Sequence, residues 1–361
     1  MSTVPPLTLL TLETLWRRRR LLLVLLIAAL VLVGLLGLTT GAMQVPLGEV
    51  VRALGGRLGL PVVPEDPLYG RIVAELRLPR VLTGAFAGAG LALTGACLQA
   101  LFRNPLADPA LIGISGGAAT GAALVIVLGG GALWLPEALR LYALPAGAFL
   151  GALGATALVF YLATWQRRVD AASMLLAGIA INALAGAIIG LLSYLSTDEQ
   201  LRNLTFWTLG SLAGAGWSST ALVLPAVMGP LLLMLWMAPA LNALLMGESV
   251  AGHLGFAVEP VKRTLVAAGA LAVGTTVAFC GVIGFVGLLG PHMARLTVGP
   301  DHRFMLPASA LWGALLLCGA DLVARLLLRP TELPLGVITA LIGAPFFIAL
   351  MRRRLRSGGR A

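Results

Sequence analysis

The residues in this sequence that could do chemistry are few, and they stand at the edges of long apolar runs. Arg77, Arg80 and Arg103 flank one run. Asp321 and Arg325 lie four apart near the end of another, a spacing at which a carboxylate and a guanidinium pair on one helix face. His253, His292 and His302 are scattered, and Cys97, Cys280 and Cys318 fall inside apolar stretches as small buried residues, so no metal-ligand spacing is present. The sequence contains neither a GxxxxGK[ST] phosphate loop nor an HExxH zinc motif, so catalysis by those chemistries is not expected. What remains is a set of charges at the ends of apolar runs and a polar loop at 240–263 containing NALLMGESVAGHLGFAVEPVKR.

These residues need elements to hold them. Val81 to Leu101 covers one bilayer, since roughly 20 helical residues at 1.5 Å each span the hydrocarbon. Pro105 lacks an amide hydrogen and pushes Asn104 out of the helical region, so this helix should stop near Arg103. Asp108 can accept from free amides of the next helix and faces its positive end, and Pro109 suits a first helical position. A new helix is expected from there. Gly84, Gly88, Gly90 and Gly95 make the first helix thin, which lets neighbouring backbones approach.

With 59% hydrophobic and 11% charged residues over 361, the chain is excluded from the soluble globular class. Apolar runs predict an all-α polytopic membrane protein of ten transmembrane helices, at about 21–40, 80–102, 109–129, 141–164, 172–195, 219–239, 264–282, 284–298, 304–326 and 335–351. The net charge of +10 is placed on one face by this topology: sixteen of the 25 Lys and Arg fall on the side of the N-terminus. That is the positive-inside pattern, with both termini cytoplasmic, and it argues for membrane lipid and against nucleic acid as partner. Arg17–Arg20 precede a run too long for a signal core, read as an uncleaved span.

The expected organisation is a cytoplasmic lead at 1–20, a ten-helix domain at 21–351 and a basic tail at 352–361. Within the domain, 41–76 forms a far-side loop with an interfacial helix built on Leu47, Val50, Val51, Leu54 and Leu58. Residues 196–217 are too polar to cross and should form a short helix at the far-side mouth. The loop 240–263 should form two short surface helices broken at Gly255.

From Leu21 to Met351 the chain resembles the permease subunits of ABC importers for iron-siderophore, haem and vitamin B12. The resemblance rests on Arg77-Leu78-Pro79-Arg80, NPLADPALIGISGGA from Asn104, GFVGLLGPHMAR from Gly284, Asp301-His302-Arg303, and ADLVARLLLRPTELPLGVITALIGAPFF from Ala320. The wording around Asn104 is more like haem permeases than siderophore ones. The resemblance implies a homodimer around one central pathway in the bacterial inner membrane. Two ATPase subunits would carry ATP and magnesium, and a periplasmic binding protein would deliver the ligand; this chain would bind no cofactor.

Position by position, the resemblance gives Arg77, Arg80 and Arg325 to docking of the binding protein, although interfacial anchoring, or pairing with Asp321 for Arg325, would also account for them. Gly247, Glu248, Ala251 and Gly255 match coupling helices that seat in the ATPase. Asn104 and Leu106 match a cytoplasmic gate, with the helix-ending role of Asn104 a sufficient alternative. Where relatives carry hydroxyl residues before the fifth span, this chain has Asp170 and Ala171, a departure at the second gate. All three histidines fall on the cytoplasmic side of this topology, so the pathway is not expected to ligate metal. Siderophore or cobalamin are the alternative ligands. A secondary transporter would need midplane charges for an ion relay, and the spans carry almost none away from their ends.

Overall fold

The computed structural model describes residues 9–132, 137–166, 168–328 and 330–358, so the first eight residues of the expected lead and the last three of the tail lie outside it. Helix α1 (Leu9–Thr39) leads to α2 (Leu47–Arg57), the expected interfacial helix. Val50 and Ala53 of α2 pack on Leu38, Val45 and Val73, while Leu47, Val51 and Leu58 are exposed. Helix α3 (Pro67–Arg71) is capped by Asp66, whose carboxylate accepts from the Leu68 amide at 2.8 Å. It runs through a π-helical stretch (Ile72–Arg77) into α4 (Leu78–Leu101), so 67–101 forms one rod.

The rod is the hub of the bundle, and its small residues explain why. A methyl group on Gly88 would fall on the Gly313 carbonyl, and one on Gly95 on the Gly287 carbonyl, so two later helices lie backbone to backbone against α4. Dispersion contact over such lengths replaces the hydrophobic effect that lipid does not supply.

After α4 the chain departs from expectation. Asp108 does cap, accepting from the Ala110 amide at 2.8 Å, and Asn104 Oδ1 accepts from the Leu106 amide at 2.9 Å. Yet Pro109 opens a 3₁₀ turn (Pro109–Ile112) rather than the long helix. Gly113, at φ 83°, ends that turn in the left-handed region glycine tolerates, and α5 (Ile114–Ala132) starts afresh. Helix α6 (Glu137–Leu162) packs on α5. A short antiparallel hairpin, β1 (Thr164–Trp165) and β2 (Arg168–Val169), then turns into α7 (Ala171–Leu195).

Helix α8 (Asp198–Thr208) is the short helix expected in 196–217, opened by a Thr197/Gln200 capping box. Next come α9 (Trp217–Trp236), α10 (Ala238–Leu245) and α11 (Glu248–His253). The break between the two short helices is at Gly247, φ 119°, and not at Gly255 as expected; Gly255, φ 88°, instead separates α11 from α12 (Val258–Cys280). Both glycines occupy backbone conformations that side chains rarely adopt, so the sequence permitted a break at either. The chain closes with α13 (Val286–Val298), α14 (His302–Leu327) and α15 (Leu335–Gly358).

Among the described residues seven helices are long and apolar enough to cross a membrane: α1, the 67–101 rod, α6, α7, α9, α12 and α14. Helices α5 and α15 carry shorter apolar runs, and with the 13-residue α13 this helical architecture has room for the ten expected spans. The 13 residues of α13 reach only about 20 Å at 1.5 Å each. Irregular backbone beside it is satisfied inside the protein: the Ser211 amide donates to Cys280 O at 2.8 Å and the Leu335 amide to Gly210 O at 2.9 Å. That is the condition under which non-helical chain is tolerated at membrane depth.

Candidate functional sites at the two ends of the bundle

One end of the bundle carries the 41–66 loop, and the structure brings Arg77, Arg80 and Arg325 together there. Arg80 Nη2 donates to Asp321 Oδ1 at 2.7 Å, while Nη1 and Nη2 grip Glu332 at 3.0 and 2.8 Å in a two-pronged fork. Arg325 Nε lies 3.1 Å from Asp321 Oδ2, the pairing expected from their spacing, and its Nη1 donates to the Gly37 carbonyl at 3.2 Å. Arg77 donates to the Leu38 carbonyl at 2.7 Å and to that of Met43. Arg77 and Arg325 are buried and turned inward, tying α1 and its following loop to α4 and α14. The most exposed member is Glu332, whose side chain is 37% accessible against 13% for Arg80. Sequence inspection missed its role, because Glu332 lies 252 residues from its partner.

The opposite, basic end holds Arg17–Arg20, Arg103, Lys262, Arg263, Arg295 and Arg303. Here Asp301 caps α14, accepting from the Arg303 amide at 3.1 Å and from Asn242 Nδ2 at 2.8 Å. Burial works against its charge, but these bonds and the cations Arg19 and Arg303 hold its carboxyl below the usual range. The Arg19 guanidinium stacks on the Phe304 ring at 5.2 Å, which anchors α1 here. The Asp301-His302-Arg303 motif is thus a helix start pinned to α10.

Of the four loop residues singled out in 240–263, Gly247 and Gly255 provide the turns. Glu248 opens α11 and accepts from Lys262 Nζ at 2.7 Å. Ala251 is fully buried among Leu241, Leu244 and Val261, so it fastens the loop to the bundle and presents nothing outward. The outward face is Met246, Val250 and Leu254, exposed by 69%, 38% and 60%. Their four-residue spacing was visible in the sequence, but which face turned inward was not.

The gate residues fall in two places. Asn104 and Leu106 form the turn after α4, with Leu106 exposed. Asp170 precedes α7 and caps it, accepting from the Ser173 amide at 2.7 Å, with Ala171 as the first helical residue. The Ser173 hydroxyl and amide hold the Asp170 carboxyl below its usual range. Asn182, inside α7, donates to the Ala110 carbonyl at 2.8 Å and so locks α7 to the 3₁₀ turn.

His253 and His302 sit at the basic end, His253 Nδ1 beside Ser249 O at 2.7 Å and His302 Nδ1 beside Asn242 Oδ1 at 2.8 Å; the His292 ring meets Phe346 edge-on at 5.3 Å. Among the described residues no three His, Cys, Asp or Glu side chains are placed to hold a metal ion together.

Known proteins resemble this chain over most of its length. The hemin transport system permease protein of Yersinia pestis is 45% identical over 286 residues, 79% of this chain and 84% of that protein. The cobalamin import system permease protein of Halobacterium salinarum is 44% identical over 315 residues, 87% and 81% of the two chains. The vitamin B12 import system permease protein of Vibrio cholerae is 45% identical over 305 residues, 84% and 90%. Among solved structures, a metal-chelate type ABC transporter in an inward-facing conformation matches with TM-score 0.79 at 33% identity, over 92% of this chain and 99% of that one. Residues 27–353 match the FecCD transport family, and the chain is a membrane-spanning ABC permease of that family.

Proposed function

We propose that this chain is the conduit of an ATP-driven importer that passes haem from a periplasmic binding protein to the cytoplasm. It works in the bacterial inner membrane with both termini cytoplasmic, as a homodimer with two ATPase subunits on which ATP and magnesium reside. The observation that carries the reading is the basic end, where Met246 at the end of α10, Val250 on α11 and Leu254 at the end of α11 stand uncovered beside a positive surface. An apolar face on a loop that basic residues keep out of the bilayer suits a soluble partner, here the ATPase. Of Arg77, Arg80 and Arg325, only Arg80, beside the exposed Glu332, is the proposed contact for the binding protein; Arg77 and Arg325, buried behind it, hold the surface on which that protein would dock. Asn104 and Leu106, with Asp170 and Ala171, are the proposed cytoplasmic gate.

Haem is supported by the 45% identity to the Yersinia hemin permease and by the wording of the Asn104 segment. Cobalamin is the second reading, favoured by relatives of equal identity over more of the chain. The test is to purify the complex and measure ATP hydrolysis with binding protein loaded with haemin or with cyanocobalamin. Stimulation by haemin alone is expected; stimulation by cyanocobalamin alone would replace the ligand, and silence with both would overturn the haem and the cobalamin readings alike.

A further inference from the structure

Lys262 is the one lysine in this chain, and it is buried, with 2% of its surface accessible, at the start of α12. A buried ammonium is costly unless its hydrogens are taken, and three acceptors take them. Nζ donates to Glu248 Oε2 at 2.7 Å, to Glu259 Oε1 at 3.2 Å and to the Val169 carbonyl at 2.9 Å. The second oxygen of Glu259 accepts from the Val169 amide at 2.8 Å, so both polar groups of one hairpin residue are held by this cluster.

The acceptors belong to different segments. Glu248 is the first residue of α11, the helix that carries Val250 of the apolar face. Val169 lies on β2, one residue before Asp170, which caps α7. Ordinary packing also links these elements to the bundle, but it is non-directional; the lysine bonds α11 to β2 through a single side chain. A compact ammonium with rotatable donors can follow both acceptors through a small displacement more fully than a rigid fork can.

We propose that Lys262 is the positioning residue that carries displacement of the 240–263 loop to the entry of α7. The proposal rests on the reading of that loop as the ATPase seat. When the loop moves with its partner, Glu248 pulls on the ammonium, Lys262 and Glu259 pull on Val169, and the hairpin resets the start of α7.

The test uses the assembled complex in vesicles and needs no transported ligand. Ala172 is exposed at the start of α7 and the three native cysteines are buried, so an Ala172→Cys variant gives a selective thiol probe. Its labelling rate by a membrane-impermeant maleimide is compared without nucleotide and with ATP plus vanadate. With Lys262 intact the rate should change by about fivefold, the lower range of coupling between distant sites. In Lys262→Met the change should vanish while the ATPase stays bound and hydrolyses ATP, and Lys262→Arg should restore part of it.

An equal response in Lys262→Met overturns the assignment. Loss of the ATPase from Lys262→Met alone also overturns it, by making the lysine part of the seat. Should that variant fail to insert, Glu248→Gln is read on the same scale, and an undiminished response there overturns the proposal. If labelling ignores nucleotide with Lys262 intact, or if Met246→Asp with Val250→Asp leaves the ATPase bound, the loop reading itself falls and this proposal with it.

Discussion

Arg80 and Lys262 occupy opposite ends of the bundle, and each is held by two carboxylates, yet the partners come from different distances along the chain. Arg80 reaches Asp321 and Glu332, 241 and 252 residues away, and Asp321 also takes Arg325. Lys262 takes Glu259 and Glu248, 3 and 14 residues away, on the first turn of its own helix and on a six-residue helix. The first cluster welds long helices that already lie backbone to backbone; the second ties short segments whose outer faces are exposed. Similar chemistry serves as a lock at one end and as a linkage at the other. A binding protein docking above would meet a preformed surface, whereas an ATPase below would meet one that can move.

The sharpest way to break this contrast is to remove the shared carboxylate of the lock. Asp321→Ala leaves Arg80 and Arg325 buried with one counter-charge fewer, and a loss of about 3–5 kcal/mol is expected for breaking a buried pair. It is read as a large drop in the thermal unfolding midpoint of the purified protein. A loss below about 1 kcal/mol would show that the cluster is no lock.

At the other end, Met246→Asp with Val250→Asp should leave that midpoint nearly unchanged, within about 0.5 kcal/mol, because both side chains are exposed. The same double variant should lose the ATPase on co-purification, each anchor costing more than about 1 kcal/mol of association. A third variant probes the lock's outer edge: Glu332→Gln removes a partly exposed partner of Arg80, and less than about 1 kcal/mol of stability should go with it. Its visible effect should be tighter, more salt-sensitive association with the binding protein, measured by titration at two ionic strengths.

The last variant concerns the helix that the linkage moves. Asp170→Ala removes the cap of α7 and should cost about 1 kcal/mol. Because the folded carboxyl is held below its ordinary value, its contribution is fully present above about pH 4, the unfolded value, and fades as pH falls through the lower folded one. The midpoint of the variant should therefore vary less with pH in that range than that of the unaltered protein.

Local chemistry made much of this legible. The turn at 104–109, the Asp321–Arg325 pair, the interfacial helix at 47–57 and the short helix after α7 each depend on residues within a few positions of one another. What escaped depends on packing. The 3₁₀ turn that Gly113 ends lies with its Leu111 carbonyl against the backbone of Gly178 in α7, a contact no local pattern encodes. Ala251 was matched to a coupling position, and only the fold shows it facing inward, with Val250 and Leu254 facing out. The resemblance drew attention to arginines; the acid that meets Arg80 at the surface, Glu332, emerged from the assembled helices.

The central claim is that this chain is a conduit driven by a separate motor, and one vesicle measurement addresses it most directly. Accumulation of haemin and of cyanocobalamin is followed in proteoliposomes containing the chain alone under a proton or sodium gradient, and in proteoliposomes with its ATPase, ATP and loaded binding protein. The expected result is no accumulation by the chain alone and ATP-dependent accumulation of haemin by the complex. Uptake by the chain alone, driven by an ion gradient, would contradict the account.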